Sequence, residues 1–320
     1  MPDKIPFITD EQVKNLLPMN EAIDLMKKAF IQISQKSVAI PQRINIEMPE
    51  VNADSLIMPV YSSEDKKYGV KIVSLNQDNP SKKLPFIHAM MVLFDAENGK
   101  PLALLDAENL TAIRTGAASG LATRLLSNPE SNVAAIFGAG VQAKYQLKAI
   151  CEVRDIKKIF LFEKIEEKAS SFKTEMENEL DTIVQIKNNQ TNLIDAQIIC
   201  TATTSTIPVF DDKYISTNSH INAIGAYQPD KREIPTETIK RASIFVDSKD
   251  ACFKEAGDLI MPLNEGYNIR VTEIGEVLPN KKFKEGFVKE LTLFKSVGNA
   301  AQDLICAIHI FKKFLNQIET

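Results

Sequence analysis

The fold is decided by the stretch V-A-A-I-F-G-A-G-V-Q-A, which occupies residues 133–143 of the 320-residue chain. Residues 133–137 are small or apolar with no polar alternation, and this pattern predicts a buried parallel strand. The next six residues match the G-x-G-x-x-G/A turn of a dinucleotide-binding βαβ unit. In such a turn Gly138 permits the tight bend, Gly140 lets the backbone approach a pyrophosphate, and Ala143 lets the helix pack closely on the strand.

A helix is predicted from Gln142 to Glu152, directly after the glycine turn. Its first amides would bind the phosphates, because helix N-termini attract anions. Glycines also punctuate ordinary loops, so the alternative interpretation is a loop that binds no ligand. The strand before the turn and the helix after it favour the nucleotide site.

An acidic residue follows the second predicted strand of this unit. Residues 156–162 form that strand, and Glu163 stands 25 positions after Gly138. An acidic residue near that distance binds the adenosine ribose hydroxyls and disfavours the 2′-phosphate of NADP. Lys164 follows immediately and partly offsets this preference. The sequence therefore favours NAD as cofactor and leaves NADP open.

The composition is that of an ordinary globular protein. Charged residues make up 25% of the chain and hydrophobic residues 44%, and 38 basic against 42 acidic side chains give a net charge of −4. The basic residues are scattered, so no nucleic acid partner is expected. The chain begins without an apolar signal region and has no apolar run long enough to span a bilayer. We therefore expect a cytoplasmic protein without a membrane partner.

The cysteines and histidines do not form a metal-binding pattern. The four cysteines lie roughly fifty residues apart, which is neither a metal-ligand spacing nor a secreted disulfide framework. The three histidines are equally isolated. We therefore expect buried, reduced thiols and no bound metal.

The rest of the chain is predicted from hydrophobic periodicity and from cap and turn signals. A first helix begins after Thr9, which with Gln12 forms a capping box. Further helices are predicted at residues 19–36, 108–127, 166–178 and 300–317. Strands are predicted at residues 42–48, 55–60, 69–75, 87–94, 101–106, 196–201, 220–224, 243–247 and 291–296.

These elements predict an α/β fold with two domains. Residues 116–299 would form a Rossmann-type doubly wound parallel sheet that binds the cofactor. Residues 1–115 would form an α+β domain for substrate binding and dimerisation. The amphipathic helix near the C-terminus, about residues 300–320, is expected to pack back on this N-terminal domain.

Three basic residues outside the nucleotide fold form a candidate anion site. Arg43 and Lys71 fall inside apolar predicted strands, and Arg114 falls in the helix that leads to the cofactor strand. A buried lysine needs an anionic partner, which is either a carboxylate of the chain or that of a substrate. We expect the substrate, with Lys71 unpaired until it binds. Guanidinium groups bind carboxylates bidentately, so together the three residues form a plausible clamp.

Several segments of the sequence, taken together, are far more specific than the glycine turn. They are L-I-M-P (56–59), G-V-K-I-V (69–73), L-F-D (93–95) followed by Gly99, L-T-A-I-R-T (110–115), the glycine turn (138–143), I-N-A-I-G-A (221–226) and F-K-S-V-G-N-A (294–300). In these segments the chain resembles the ornithine cyclodeaminase/mu-crystallin family over essentially its whole length.

The resemblance implies an NAD(P)-binding Rossmann domain, a homodimer formed through the N-terminal domain, and an active site in the cleft between the two domains. It places Arg43, Lys71 and Arg114 around the carboxylate of the substrate. With the glycine turn and the strand-end residues, it leads us to assign the following residues to the cofactor: Thr115, Gly138, Ala139, Gly140, Val141, Gln142, Glu163, Thr201, Ala202, Thr203, Gly225, Ala226, Ser296 and Gly298.

Members of this family differ in their chemistry. Some cyclise ornithine to proline with release of ammonia, others reduce cyclic ketimines or aminate pyruvate, and mu-crystallin also binds thyroid hormone. Where the cyclodeaminases carry acidic residues, this chain has Met58 and Tyr227, and Phe86 stands where a threonine is frequent. The segment that contains Pro229 and Asp230 is instead similar to the Pro-Asp-x-Arg-Glu segment of the mu-crystallin type.

We therefore expect an NAD(P)H-dependent reductase of an imine or α-keto acid that carries a carboxylate, such as pyrroline-2-carboxylate or the substrate of an alanine dehydrogenase. Lys71 would contact the carboxylate or the imine nitrogen and donate the proton, because desolvation lowers the pKa of a lysine. Asp230 is a secondary acid–base candidate, and a turn residue is an equal interpretation. The alternatives are an ornithine cyclodeaminase and a non-catalytic ligand-binding protein that retains the cofactor.

Overall fold

The chain divides into two units. A computed structural model describes residues 4–279 and 290–318. One unit contains the residues up to Arg114 together with those from Asn299 onward, and the other runs from Thr115 to Gly298. Residues 1–3 and 319–320 of the expected N-terminal domain, and residues 280–289 of the expected nucleotide domain, lie outside the described residues.

The first unit is built from short helices and an extended run of strands. Its elements, in chain order, are β1 (Phe7–Ile8), α1 (Asp10–Leu16), α2 (Met19–Ser34), β2 (Val38–Ala39), β3 (Ile44–Met48), β4 (Ala53–Ser62), β5 (Lys67–Asn76), β6 (Ile87–Asp95) and β7 (Pro101–Asp106). Helix α3 (Glu108–Leu126) contains the division between the two units.

The second unit alternates strands and helices. Its elements are β8 (Val133–Phe137), α4 (Val141–Val153), β9 (Lys158–Phe162), α5 (Glu166–Leu180), β10 (Ile183–Ile186), β11 (Ile198–Thr201), β12 (His220–Ala223), α6 (Thr236–Arg241), β13 (Ser243–Val246), α7 (Lys249–Glu255), α8 (Gly257–Asn264), β14 (Val271–Glu273), α9 (Ile274–Val277) and β15 (Thr292–Lys295). The last helix, α10 (Ala300–Ile318), belongs to the first unit.

The sheet of the first unit has one covered face. Its strands lie in the order β1-β7-β6-β5-β4-β2, with β3 paired to β4, and every pair except β1 with β7 is antiparallel. Helix α10 packs on β4, β5 and β6, and α2 packs on α10. Side chains of a strand alternate between faces. Lys71 and its cross-strand neighbours Met58 and Met91 therefore point to the covered face, where all three are buried.

The sheet of the second unit confirms the predicted Rossmann-type fold. Its described strands lie in the order β10-β9-β8-β11-β12-β15-β13-β14, and all of the pairs are parallel. The chain builds β8, β9 and β10 outward in one direction and then returns to place β11 on the other side of β8. Dinucleotides bind at such a reversal of strand order, at the carboxyl ends of the strands.

Some elements differ from the predictions. The strand predicted at residues 42–48 begins only at Ile44, so Arg43 precedes β3 and is half-buried. The strand Ile183–Ile186 is too short to give a periodic signal, and helix α8 contains Pro262, a residue that usually ends helices. These segments were not predicted for those reasons.

Three of the expectations from the sequence concern membrane spans, a bound metal and the state of the thiols. Within residues 4–279 and 290–318, no helix is both long and apolar enough to cross a bilayer. The same residues contain no cluster of three or more His, Cys, Asp or Glu side chains arranged to hold a metal ion. The cysteines are free, and burial raises the pKa of the Cys151 thiol to about 12.

Candidate active site

A cavity of about 1110 Å³ opens in the second unit at the carboxyl ends of β8, β9 and β11. This is the edge of a doubly wound sheet at which dinucleotides bind. Six of the residues assigned to the cofactor line the cavity: Gly138, Ala139, Gly140, Glu163, Ala202 and Thr203.

The two glycines of the turn, Gly138 and Gly140, are needed for different structural reasons. Gly138 has φ +98°, and a Cβ atom there would lie 2.7 Å from the carbonyl oxygen of Ala202, so the protein itself requires glycine. Gly140 has φ −100° and ψ −175°, which any residue can adopt. A Cβ atom at Gly140 would meet nothing in the described chain within 4 Å. The space over Gly140 therefore fits a pyrophosphate that approaches the backbone.

The helix that follows the turn begins at the cavity without a side-chain cap. Its N-cap, Gly140, lines the cavity and has no side chain that could accept from the first N–H groups of α4. Ala143 is fully buried against the strand. Backbone donors and the helix dipole together make this position suited to a phosphate group.

Gly140→Val is expected to abolish NADH binding and to leave the fold intact. The valine side chain would enter the space over the turn that the pyrophosphate needs, and it would strain neither the backbone nor a neighbour. Fluorescence titration of NADH and thermal melting check this together, with Gly140→Ala as the smaller step in the same series. A valine variant that binds NADH as tightly as the parent contradicts the assignment of the turn.

Glu163 lies where the ribose of the adenosine is expected. It is half-buried, lines the cavity, and accepts a hydrogen bond of 3.0 Å from the N–H of Ile165 on one carboxylate oxygen. Lys164 and Lys168 line the same cavity. The positive charges of these lysines favour the 2′-phosphate of NADP, whereas the carboxylate of Glu163 repels it. This end of the cavity therefore has features that suit NAD and features that suit NADP.

Glu163→Ala is expected to narrow the preference for NADH over NADPH, because it removes the carboxylate that opposes a 2′-phosphate. The ratio of the two dissociation constants measures the effect. Glu167→Ala is the matched control, since Glu167 lines the same cavity from the first turn of α5. If Glu163→Ala leaves the ratio unchanged, Glu163 is only a surface carboxylate.

The remaining cofactor residues lie outside the cavity lining. Thr201, Gly225 and Ala226 stand at the carboxyl ends of β11 and β12, where Thr201 and Ala226 are buried. Ser296 and Gly298 follow β15, and both donate hydrogen bonds to Asp247, at 2.7 and 2.9 Å. Thr115 is buried, and its carbonyl oxygen accepts a hydrogen bond from Gln146.

The first unit holds a buried cluster of charges on the covered face of its sheet. Lys71 is 1% exposed, and its Nζ lies 2.8 Å from Oδ2 of Asp303 on α10. Arg114 donates from Nε to Oδ1 of Asp303 at 3.1 Å and from Nη1 to Oε1 of Gln302 at 2.7 Å. One carboxylate of the chain therefore serves two cations.

The cluster has more positive than negative charge. Burial lowers the pKa of Lys71 to about 7; Asp303 opposes this shift, and the charges of Arg114 and Arg43 add to it. The two methionines opposite Lys71 in the sheet offer it no acceptor of comparable strength. Among the residues that the structure describes, Lys71 and Arg114 share the carboxylate of Asp303, and the charge of Arg43 also acts on Lys71, which is an environment that favours a further carboxylate.

One expectation for the site needs correction. We expected Lys71 to have no partner until the substrate binds, but Asp303 of the chain itself is its partner. The reason is that the C-terminal helix brings an acidic residue onto the covered face of the sheet. Asp230 is exposed in a turn and is not among the residues that line the cavity, and its role as an acid–base residue stays a prediction.

Several buried polar residues of the two units were not predicted as functional. Asp303 had a sequence signal, since it shares a helix face with Ala307 and Phe311 and thus falls in the register of an apolar stripe. Gln302 had none that distinguishes it from a surface residue. Buried residues of the second unit that were also missed are Glu233, Asp247, Asp258 and Lys295.

Comparison with known proteins gives one consistent family. The model of the ornithine cyclodeaminase/mu-crystallin family matches residues 5–317. A Δ1-pyrroline-2-carboxylate reductase of Bacillus cereus is 34% identical over 315 residues, which cover 97% of each chain.

Two solved structures are similar over nearly the whole chain. The Δ1-pyrroline-2-carboxylate reductase of Thermococcus litoralis, in complex with NADH and L-proline, superposes with a TM-score of 0.92 at 35% identity and covers 98% of both chains. An archaeal alanine dehydrogenase dimer with bound NAD gives a TM-score of 0.88 at 30% identity, and covers 98% of this chain and 97% of that one.

Proposed function

Because this chain belongs to the ornithine cyclodeaminase/mu-crystallin family, we propose that it reduces Δ1-pyrroline-2-carboxylate to proline with NADH. The protein is an NAD-dependent oxidoreductase with a Rossmann-type nucleotide fold. The single observation that supports this substrate class is the buried pair of cations, Lys71 and Arg114, which share one carboxylate, Asp303, while the charge of Arg43 also acts on Lys71. Such a cluster favours a small substrate with a carboxylate of its own.

The reaction adds a hydride to the imine carbon and a proton to the imine nitrogen. The glycine turn, the N-terminus of α4 and Glu163 would hold the pyrophosphate and the adenosine ribose of NADH, which would supply the hydride. Asp303 and Gln302 orient the guanidinium of Arg114 for the substrate carboxylate. Fixing the carboxylate sets the position of the imine bond in the same small ring, which supplies orientation.

Lys71 is the group that we propose as proton donor. Its pKa of about 7 lies near physiological pH, so the ammonium form is populated and also gives up its proton readily. A substrate carboxylate bound nearby would raise this pKa, because an opposite charge favours the ammonium form. The lysine would therefore be protonated when the substrate is bound.

The position opposite Lys71 argues against cyclodeamination. In the sheet Met58 is the direct cross-strand neighbour of Lys71, and it is buried. The cyclodeaminase pattern has an acidic residue there, which would handle a second amine and would hold Lys71 permanently charged. With methionine at this position, the cluster recognises one carboxylate and has no acidic group left for the side-chain amine of ornithine.

A screen of NADH oxidation tests the substrate class. The substrates are Δ1-pyrroline-2-carboxylate, Δ1-piperideine-2-carboxylate, and pyruvate with ammonia, and ornithine without added NADH tests cyclodeamination. We expect the highest kcat/KM for a cyclic imine. Formation of proline and ammonia from ornithine, with no turnover of any imine, would overturn the proposal.

We also propose that the protein is a homodimer formed through the open face of the first sheet. This face carries a continuous apolar grid across β4, β5 and β6, opposite the face that α10 covers. Its members are Ile57, Pro59, Tyr61, Tyr68, Val70, Ile72, Met90, Val92 and Phe94. Large contiguous apolar patches on a protein surface mark interaction sites, and a two-fold interface lets one patch cover its own copy.

Ile72→Asp is expected to convert the dimer to a monomer. Ile72 lies at the middle of the grid, between Ile57 and Met90, and its side chain is 43% exposed. A carboxylate there would be desolvated on association, which is costly for a charge without a partner. Sedimentation velocity at micromolar concentration measures the change, with Ile194→Asp in the second unit as control. A dimeric Ile72→Asp variant, or a monomeric parent, contradicts the proposal.

A further inference from the structure

Glu233 is a fully buried carboxylate that accepts four hydrogen bonds, two on each oxygen. Oε1 accepts from the backbone N–H and from the hydroxyl of Thr203, both at 2.7 Å. Oε2 accepts from the hydroxyl of Thr201 at 2.9 Å and from the backbone N–H of Gly225 at 2.8 Å. Each oxygen therefore binds one backbone donor and one hydroxyl donor.

These bonds join the carboxyl ends of two neighbouring strands. Thr201 is the last residue of β11, and Gly225 comes two residues after β12. A Cβ atom at Gly225 would clash with the carbonyl oxygen of Thr203 and lie 2.6 Å from both oxygens of Glu233, so the close packing of these two groups explains the glycine. The geometry of both strand ends depends on a single side chain.

The backbone of Glu233 is itself fixed by a second buried carboxylate, that of Asp258. Oδ1 of Asp258 accepts from the N–H groups of Glu233 and Ile234, at 2.7 and 2.9 Å. Oδ2 of Asp258 lies 2.8 Å from Nζ of Lys295, the last residue of β15, and both of these side chains are fully buried. Three adjacent strands, β11, β12 and β15, are thus connected at their carboxyl ends by one buried network.

The strands that this network connects lie in one half of the doubly wound sheet. In a doubly wound fold each half of the sheet binds one mononucleotide. The strands β8 to β10 carry the glycine turn and Glu163, which belong to the adenosine half, and β11, β12 and β15 lie on the other side of the reversal. We propose that Glu233 is a positioning residue for the nicotinamide half, fixing the segments after β11 and β12 without touching the cofactor.

The proposal rests on the nucleotide assignment of the cavity and is independent of the substrate. A purely structural role for Glu233 predicts a different result. If the carboxylate only stabilised the second unit, its loss would lower the affinity for every nucleotide ligand, because part of the protein would be unfolded. A positioning role predicts a loss confined to ligands that contain the nicotinamide half.

Glu233→Gln tests the proposal. Whichever way the amide is turned, its NH₂ group faces one of the two backbone N–H donors, so one strand end must shift. We expect the affinity for NADH to fall by roughly tenfold or more, the effect of losing hydrogen bonds to a charged group. ADP, which probes the adenosine half alone, should bind within about twofold of the parent. Equal losses for NADH and ADP, or no loss for NADH, would overturn the proposal.

A second variant keeps the test decisive if Glu233→Gln fails to fold. Thr201→Val removes one hydroxyl donor to Glu233 and keeps the backbone unchanged. This variant should lower the affinity for NADH several-fold, as expected for the loss of one hydrogen bond to a charged group, and it should leave the affinity for ADP unchanged. Thr182→Val is the matched control, because it removes a buried hydroxyl bonded to the carbonyl of Ile156 just before β10. The proposal fails if Thr201→Val binds NADH as Thr182→Val does.

Discussion

Lys71→Met is expected to lower turnover of the cyclic imine by about 100-fold or more, the lower range for loss of a positioned proton donor. NADH should still bind, because the cofactor residues lie in the second unit and Lys71 lies in the first. The fold should tolerate the change. Methionine at position 71 would lie between Met58 and Met91, and Asp303 would keep its hydrogen bond with Arg114.

The control for this variant lies on the same strand. Lys67→Met also removes a lysine of β5, one that pairs with Asp95 near the surface, and it should leave turnover unchanged. Steady-state kinetics per folded molecule, with thermal melting of each variant, separates catalysis from stability. A Lys71→Met protein that melts well below the parent and retains near-normal activity per folded molecule would show that Lys71 is a structural charge.

Asp303→Asn is expected to be the most destabilising of these substitutions. It leaves Lys71 and Arg114 buried without a carboxylate, and removing one partner of a buried ion pair costs about 3–5 kcal/mol of unfolding free energy. The loss should be larger at pH 6 than at pH 9. Below its pKa of about 7 the native lysine is charged and relies on Asp303, whereas above it the lysine is neutral.

The same variant should change the pH dependence of catalysis. In the parent the ammonium form of Lys71 is present below pH 7 and is lost as the pH rises through about 7, so kcat/KM should fall on the alkaline side. Asp303 raises the pKa of Lys71, so its loss should move this decline to lower pH. Asp65→Asn is the control, since Asp65 is a partly buried carboxylate that also pairs with a lysine, Lys28. If Asp303→Asn leaves the profile in place, Asp303 does not set the charge of Lys71.

The nucleotide fold could be predicted because its signals are local. The strand Val133–Phe137 and the glycine turn are specified by eleven consecutive residues, and the strand has the predicted bounds. The capping box of Thr9 and Gln12 is present at the start of α1 for the same reason. In each case the residues that determine the conformation are neighbours in sequence.

The partners of the charged residues could not be predicted in this way, because they come from distant parts of the chain. Lys71 was recognised as a lysine in an apolar strand, but its partner Asp303 lies near the C-terminus. The apolar stripe of α10 contains Asp303 in register, and a buried carboxylate requires a cation. That periodicity would have indicated a buried carboxylate in need of a cation, but not that the cation is Lys71.

Glu233 is the glutamate of the Pro-Asp-x-Arg-Glu segment, but no sequence signal indicated its hydrogen-bond partners. It lies in an irregular segment between β12 and α6, and its donors come from Thr201, Thr203 and Gly225, in segments that follow two different strands. Only the parallel register of β11 and β12 brings these groups together. Sequence periodicity describes which face of an element is buried, and it does not describe which strand ends meet.

The most direct test of the proposed function follows the hydride itself. The protein is incubated with Δ1-pyrroline-2-carboxylate and NADH deuterated at both C4 positions, and proline is analysed by mass spectrometry and NMR. We expect one deuterium at the α-carbon of proline for each NADH oxidised, and we expect Lys71→Met to be at least roughly 100-fold slower. Proline without deuterium at the α-carbon, or NADH oxidation without proline, would contradict it.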